Sequence, residues 1–182
     1  MVNNLSKLLI AGFFATFICI GAFIKIPFLF VPMTLQFLFV NLAVLYQDKK
    51  YGVLSVLTYI TLGLMGLPVF AGGGGLGYVL KPTFGYIIGF LAAAVVTGSV
   101  KDKFACSLRT NLIFSALNII LIYICGISYF YLISNFYLGS RIGITKLLIV
   151  GCLMFIPSDV FSGVLSSYLA VRLKSVKKLI HL

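Results

Sequence analysis

Long apolar runs, separated by short segments that carry most of the charge, restrict this chain to folds whose solvent is lipid. Apolar residues make up 62% of the chain and charged residues 9%, where soluble domains carry about 25% charged residues. A helical span of a bilayer needs about 20 mostly apolar residues. Six spans are predicted, near residues 8–24, 33–46, 52–69, 84–100, 112–133 and 144–171, so that residues 1–182 form a single all-α integral membrane domain. Residues 8–24 are expected to stay as the first span, because the run is longer than a signal-peptide core and Ile20 fits a small-residue cleavage position poorly. The second span is short, about 21 Å for its fourteen residues. Before it, Pro27 and Pro32 oppose regular helix, so residues 25–32 are read as a loop folding back over the outer end of the bundle.

Charge then sets orientation. With the N-terminus inside, Lys7, Lys49, Lys50, Lys101, Lys103, Arg109, Arg172, Lys174, Lys177 and Lys178 fall on the cytoplasmic side. Lys25, Lys81, Arg141 and Lys146 fall outside. This asymmetry follows the positive-inside rule and places both termini in the cytoplasm of a plasma-membrane protein. It also removes nucleic acid as a partner: the net charge of +11 flanks membrane spans and forms no basic domain face. Of the four cysteines, Cys19, Cys125 and Cys152 lie in apolar spans and act as small hydrophobes, and no C-x-x-C pair suggests a metal site.

The chain has three acids, and two of them, Asp48 and Asp102, stand among lysines in polar connections. Asp159 instead follows Leu153-Met154-Phe155-Ile156-Pro157-Ser158 within an apolar run. A carboxylate inside hydrocarbon costs about 2.5 kcal/mol or more and normally faces a cavity or a partner. Asp159 is therefore expected to line a polar site, against the simpler reading of an acid bonded to a neighbouring helix.

The segment from Gly66 to Gly77 contains four glycines in succession, Gly72, Gly73, Gly74 and Gly75. Gly72, Gly74 and Gly77 satisfy G-x-G-x-x-G, but between two membrane spans rather than a strand and a helix, and Tyr78 stands where a phosphate-binding loop needs lysine. Nucleotide binding is thus not indicated. A tight turn needs one or two glycines; four point to backbone that approaches a bound group closely. Lys81 follows, suited either to an interfacial lysine reaching for water or to a ligand contact. In the first span Ala11, Ala15, Cys19 and Ala22 share a helical face, which serves packing within the bundle or docking of another subunit. Gly85 and Gly89 repeat the four-residue spacing in the fourth span.

Taken together, Val31-Pro32-Met33-Thr34-Leu35-Gln36, Gly66-Leu67-Pro68-Val69-Phe70-Ala71-Gly72-Gly73, Pro82-Thr83-Phe84-Gly85-Tyr86 and Ile156-Pro157-Ser158-Asp159 resemble the BioY family. These are the biotin-binding S components of energy-coupling factor (ECF) transporters. The resemblance implies a six-helix S-component-like bundle with an outward-facing ligand pocket. It implies that Asp159 accepts the ureido N–H groups of biotin, with Thr34, Gln36 and Thr83 as further polar contacts. Phe70 and Tyr86 would wall the ring, Gly72 to Gly75 would bring backbone N–H groups to it, and Ala11 and Ala15 would dock a transmembrane coupling subunit served by separate ATPase subunits.

Two positions depart from the family pattern: Ser162 replaces a lysine three residues after the acid, and Lys81 replaces a small residue before the Pro-Thr pair. Either Lys81 supplies the displaced charge from the other side of the pocket, with Ser162 offering a hydroxyl, or the substrate preference is altered, or Lys81 meets headgroups. No cofactor or metal is implied. A solitary biotin transporter has the same sequence features. An intramembrane enzyme would need more acids or histidines than His181, in the C-terminal tail, and one buried carboxylate can supply.

Overall fold

The structure is a computed structural model that describes residues 4–28, 31–140 and 142–180; Arg141 and His181, weighed above, lie outside them. The chain runs α1 (Asn4–Phe23), β1 (Lys25–Phe28), β2 (Val31–Thr34), α2 (Gln36–Tyr46), α3 (Lys49–Leu64), α4 (Phe84–Val100), α5 (Leu108–Leu132), α6 (Ile144–Leu148) and α7 (Ile156–Ile180). Successive long helices run in opposite directions. The α1 N-terminus, the α2–α3 and α4–α5 turns and the α7 C-terminus therefore share one end of the bundle, the lysine-rich end. Among the described residues four segments are long and apolar enough to cross a membrane: Asn4–Phe23, Phe84–Lys103, Leu108–Tyr137 and Ile144–Val176. The helices in the second and third expected spans are shorter. α2 has 11 residues and α3 has 16, about 17 and 24 Å.

Each difference from the expected spans has a local cause. Residues 25–28 and 31–34 form an antiparallel hairpin rather than an irregular loop, with Pro27 opposite Pro32. That register confines the two missing N–H donors to one rung of the ladder. Helix α3 ends five residues before its expected boundary, where Gly66 takes a φ of 106° and Pro68 follows. The sixth span is broken. Pro157 cannot donate to residue 153 and crowds its carbonyl, and the chain passes through a π-helical turn, Ile149–Leu153, before restarting as α7. Proline is tolerated in that first turn, and Asp159 follows it there, where the helix dipole favours a carboxylate.

Small residues set the helix contacts. A Cβ on Gly89 would lie 2.7 Å from the Ile122 Cα, and one on Gly85 would meet Tyr129, so this pair seats α4 directly on α5. The stripe on α1 is interior: Ala11 and Ala15 are each 2% exposed and Ala22 is fully buried, in a helix packed on α2 and α3. Ala11 and Ala15, the residues expected to dock a coupling subunit, lie within the isolated bundle. In this structure they let neighbouring helices approach, while Phe13, Phe17 and Ile20 present the outer face of α1.

A buried polar seam crosses the middle of the bundle. Asn41 Nδ2 donates to Ser115 Oγ and to Ser166 Oγ, each at 2.7 Å, and its Oδ1 accepts from Asn118 Nδ2 at 2.7 Å. Thr97 Oγ1 donates to Asn118 Oδ1 at 2.5 Å, and the Ser115 and Ser167 hydroxyls lie 2.8 Å apart. Four helices, α2, α4, α5 and α7, are thus joined through one asparagine and its neighbours. Replacing Asn41 strands several buried partners, each costing about 1–3 kcal/mol when left unmade. Asn41→Ala is expected to lower stability by roughly that amount, read as an earlier thermal unfolding midpoint of the detergent-purified chain, whereas Thr16→Ala on the exposed face of α1 leaves the midpoint in place.

Candidate ligand-binding site

At the end opposite the lysines, the hairpin, the 65–83 connection and the tops of α4, α5 and α7 surround a cavity of about 470 Å³. Ligand cavities commonly measure about 300–1,000 Å³. Its walls are largely apolar and aromatic, with Phe37, Ile87, Phe90, Ile122, Phe130 and Phe155 contributing. Thr34, Gln36, Tyr78, Thr83, Tyr86, Tyr123 and Asp159 supply the polar groups. Asp159 is the only charged residue in the lining among the described residues.

Tyr123, on α5, donates its phenol to Asp159 Oδ2 at 2.6 Å. This bond fixes the carboxylate in the first turn of α7 and engages one oxygen, leaving Oδ1 with capacity to accept from a ligand. The Tyr86 ring stands edge-on to Tyr123, with centroids 6.4 Å apart, and its hydroxyl donates to the Gly151 carbonyl at 2.5 Å. The wall of the cavity is therefore tied to the π-helical turn, at a carbonyl whose α-helical donor, Phe155 N, bonds to Cys152 instead. Gly126 makes room for this arrangement: a Cβ there would lie 2.5 Å from the Tyr86 ring. Gln36 Nε2 donates to the Tyr59 hydroxyl at 2.8 Å, which orients the amide at the start of α2. Tyr78 and Thr83 hydroxyls lie 3.3 Å apart, and Thr83 and Ala71 are exposed where the lining meets the surface.

Of the residues expected to form the site, Asp159, Thr34, Gln36, Thr83 and Tyr86 come together in this lining. The others do not. Phe70 is 1% exposed and lies behind the wall, edge-on to Tyr59 and 4.7 Å from Tyr78 between centroids. Gly72, Gly73, Gly74 and Gly75 stand outside the lining, to which only the adjoining Ala71 contributes. Their use is conformational. Gly73 and Gly75 have φ values of 118° and 91°, Phe70 and Gly73 pair as a β-bridge, and Gly75 N donates to the Gly63 carbonyl at 2.7 Å. At Gly74 a Cβ would collide with the Leu67 carbonyl. Close approach explains Gly74, where the approaching group is the protein's own chain, and positive φ explains Gly73 and Gly75. Lys81 Nζ donates to the Gly72 carbonyl at 2.7 Å and lies 4.9 Å from the Tyr78 ring centroid, one layer outside the cavity. Ser162 is buried 2% exposed beneath the floor, where its carbonyl accepts from Ser166.

Tyr123 escaped the sequence reading, although a phenol between Ile122 and Ile124 is the same kind of signal as an acid in an apolar run. In the sequence Tyr78 stands out only as the residue in place of a phosphate-loop lysine.

A bundle of apolar membrane helices enclosing a small, singly charged, aromatic-walled cavity defines a multi-pass membrane protein built to hold a small organic solute. The chain belongs to the BioY family, whose pattern matches residues 1–178. It is similar to a probable biotin transporter BioY of Lysinibacillus sphaericus, 41% identical over 175 residues that cover 96% of this chain and 89% of the relative. A biotin transporter BioY of Thermotoga maritima is 39% identical over 175 residues, covering 94% and 97%. Among solved structures the chain is similar to the S-component for biotin from an ECF-type ABC transporter, with a TM-score of 0.79, 28% identity and 96% and 95% of the two chains covered. The expected all-α, S-component-like bundle is therefore the fold observed.

Because the Tyr86 hydroxyl holds the π-helical turn, Tyr86→Phe is expected to raise amide hydrogen exchange within residues 149–155 while leaving the α7 amides beyond Ser166 protected.

Proposed function

We propose that this chain is the biotin-binding membrane subunit of an ECF-type transporter and that the cavity around Asp159 holds the vitamin. The observation that carries this reading is the single carboxylate, braced by Tyr123, in an otherwise uncharged aromatic cavity of a BioY-family chain. Biotin has a ureido ring with two N–H donors, an apolar thiophane and valeryl chain, and a terminal carboxylate. The free Asp159 oxygen suits a ureido N–H, and a charge-assisted bond gains strength where water is excluded. The aromatic and aliphatic walls suit the thiophane. With no cation in the lining among the described residues, the valerate carboxylate belongs at the mouth, beside Thr83 and within the field of Lys81.

This reading orders the expected outcomes of a calorimetric titration with biotin. Wild type binds one molecule tightly. Asp159→Asn weakens binding by about tenfold or more, the usual worth of a charged hydrogen-bond partner. Lys81→Ala weakens it by no more than about fivefold, as befits an exposed charge acting at a distance. No binding by a folded wild type would remove biotin as the ligand.

The membrane arrangement completing this reading has six crossings, with α2 and α3 extended across the bilayer by the hairpin and the 65–83 connection that flank them. The lysine-rich end faces the cytoplasm and the cavity faces outward, in accord with the positive-inside rule. The whole chain then acts as one membrane domain. Energy comes from ATPase subunits working through a coupling subunit, since the glycine segment of this chain has no phosphate-loop lysine. Cys106, exposed in the α4–α5 connection, reports on the orientation. A membrane-impermeant maleimide is expected to label it in inside-out vesicles and not in intact cells; the reverse pattern overturns the topology.

A further inference from the structure

The lysine-rich end holds a second cavity, about 220 Å³, where the α4–α5 connection meets α7. Its lining includes Lys101, Asp102, Thr110, Asn111 and Lys174, none of which takes part in the ligand site at the other end. Lys101 is unlike the other cations of the chain. Its side chain is 5% exposed, its ammonium donates to the Gln47 carbonyl, and Asp102 lies 3.4 Å away with 58% of its own side chain exposed. A largely hydrated carboxylate compensates a buried ammonium only weakly. Lys174 reaches the same cavity from α7 and, among the described residues, has no ion pair.

The cavity thus carries two ammonium groups and one carboxylate. Lys101 and Lys174 line one void, and their repulsion, which the exposed Asp102 offsets only in part, is relieved by a further anion between them. Of the remaining lining residues Thr110 and Asn111 can donate hydrogen bonds and none carries a charge. Asn111 Nδ2 makes only long contacts, 3.4 Å to the Ser167 carbonyl and 3.9 Å to Cys106 Sγ, and so can turn to a better acceptor. Thr110 and Asn111 belong to the first turn of the 25-residue α5, the positive end of its dipole.

We propose that this cavity binds a phosphate-class oxyanion, bridged between Lys101 and Lys174 with Asn111 as a third contact. The same chemistry is offered by free phosphate and by the headgroup of an anionic lipid, and basic pockets between membrane helices are known to take such headgroups.

The test uses the full chain. Its thermal unfolding midpoint is followed in detergent against inorganic phosphate, and in lipid nanodiscs of phosphatidylcholine with and without phosphatidic acid. Wild type is expected to be stabilised by at least one of the two. Lys174→Gln should need about tenfold more of it, the loss of one charged contact, and Lys174→Arg should restore the response. Biotin binding by Lys174→Gln, unchanged at the distant cavity, verifies that this half-buried position tolerates the change. Stabilisation by phosphate alone identifies a soluble anion; stabilisation only by phosphatidic acid identifies a lipid. No response in wild type to either, or an equal response in Lys174→Gln, overturns the proposal.

Discussion

Asn41 is where this bundle closes. Its amide donates to hydroxyls on α5 and α7 and accepts from Asn118, which in turn binds Thr97 on α4. In lipid an unmade polar contact has no water to turn to, so each partner is committed to the others. Hydrophobic burial alone would leave these helices free to slide, because lipid tails are as apolar as the faces they cover. The seam supplies the register. It sets α7 against α2 and α5, and by doing so it fixes the height at which Asp159, two turns further up α7, meets Tyr123.

The glycine segment and the proline break serve the same end by different means. Gly63 leaves the space that the Phe70 ring occupies, Gly74 lets its backbone pass the Leu67 carbonyl, and Lys81 clasps Gly72 from outside. These contacts make a firm cap from a sequence that reads as loose. On the other side of the cavity, Phe155 N donates to the Cys152 carbonyl, which leaves the Gly151 carbonyl for Tyr86, and α7 begins afresh at Ile156 with the carboxylate in its first turn. A continuous helix over 144–171 would place that acid mid-helix, without the favourable field of an N-terminus.

Much of this was legible in advance. Apolar runs of span length located the long helices, and the isolated acid found the heart of the cavity, because both signals reside in single stretches of sequence. The glycine pair Gly85 and Gly89, whose spacing alone is a weak signal, marks close packing against α5. What sequence could not carry was side-chain direction over long separations. The bond from Tyr123 to Asp159 spans 36 positions, and that from Asn41 to Ser166 spans 125. That Phe70 and the four glycines lie outside the lining was hidden for a related reason: residues that crowd together near a ligand and residues that crowd together against their own chain leave the same imprint. The hairpin was hidden because two prolines exclude helix without stating what replaces it.

The brevity of α2 has a further consequence. The ion pair of Lys7 with Asp48, at 2.7 Å, aligns the lower ends of α1 and α2. At their upper ends Leu35 N donates to the Ile24 carbonyl at 3.4 Å, so α1 and the short α2 finish level, and the chain rises above Gln36 only as the hairpin and the 65–83 connection. Gln36 is buried while Ala71 and Thr83 of the same lining are exposed, so the floor of the cavity is sunk beneath its rim. A solute must shed its hydration before it touches the groups that would replace it. Selection is then exercised at the threshold as well as at the contact: molecules clothed in tightly held water are turned away by the cost of undressing, however well their outline would fit.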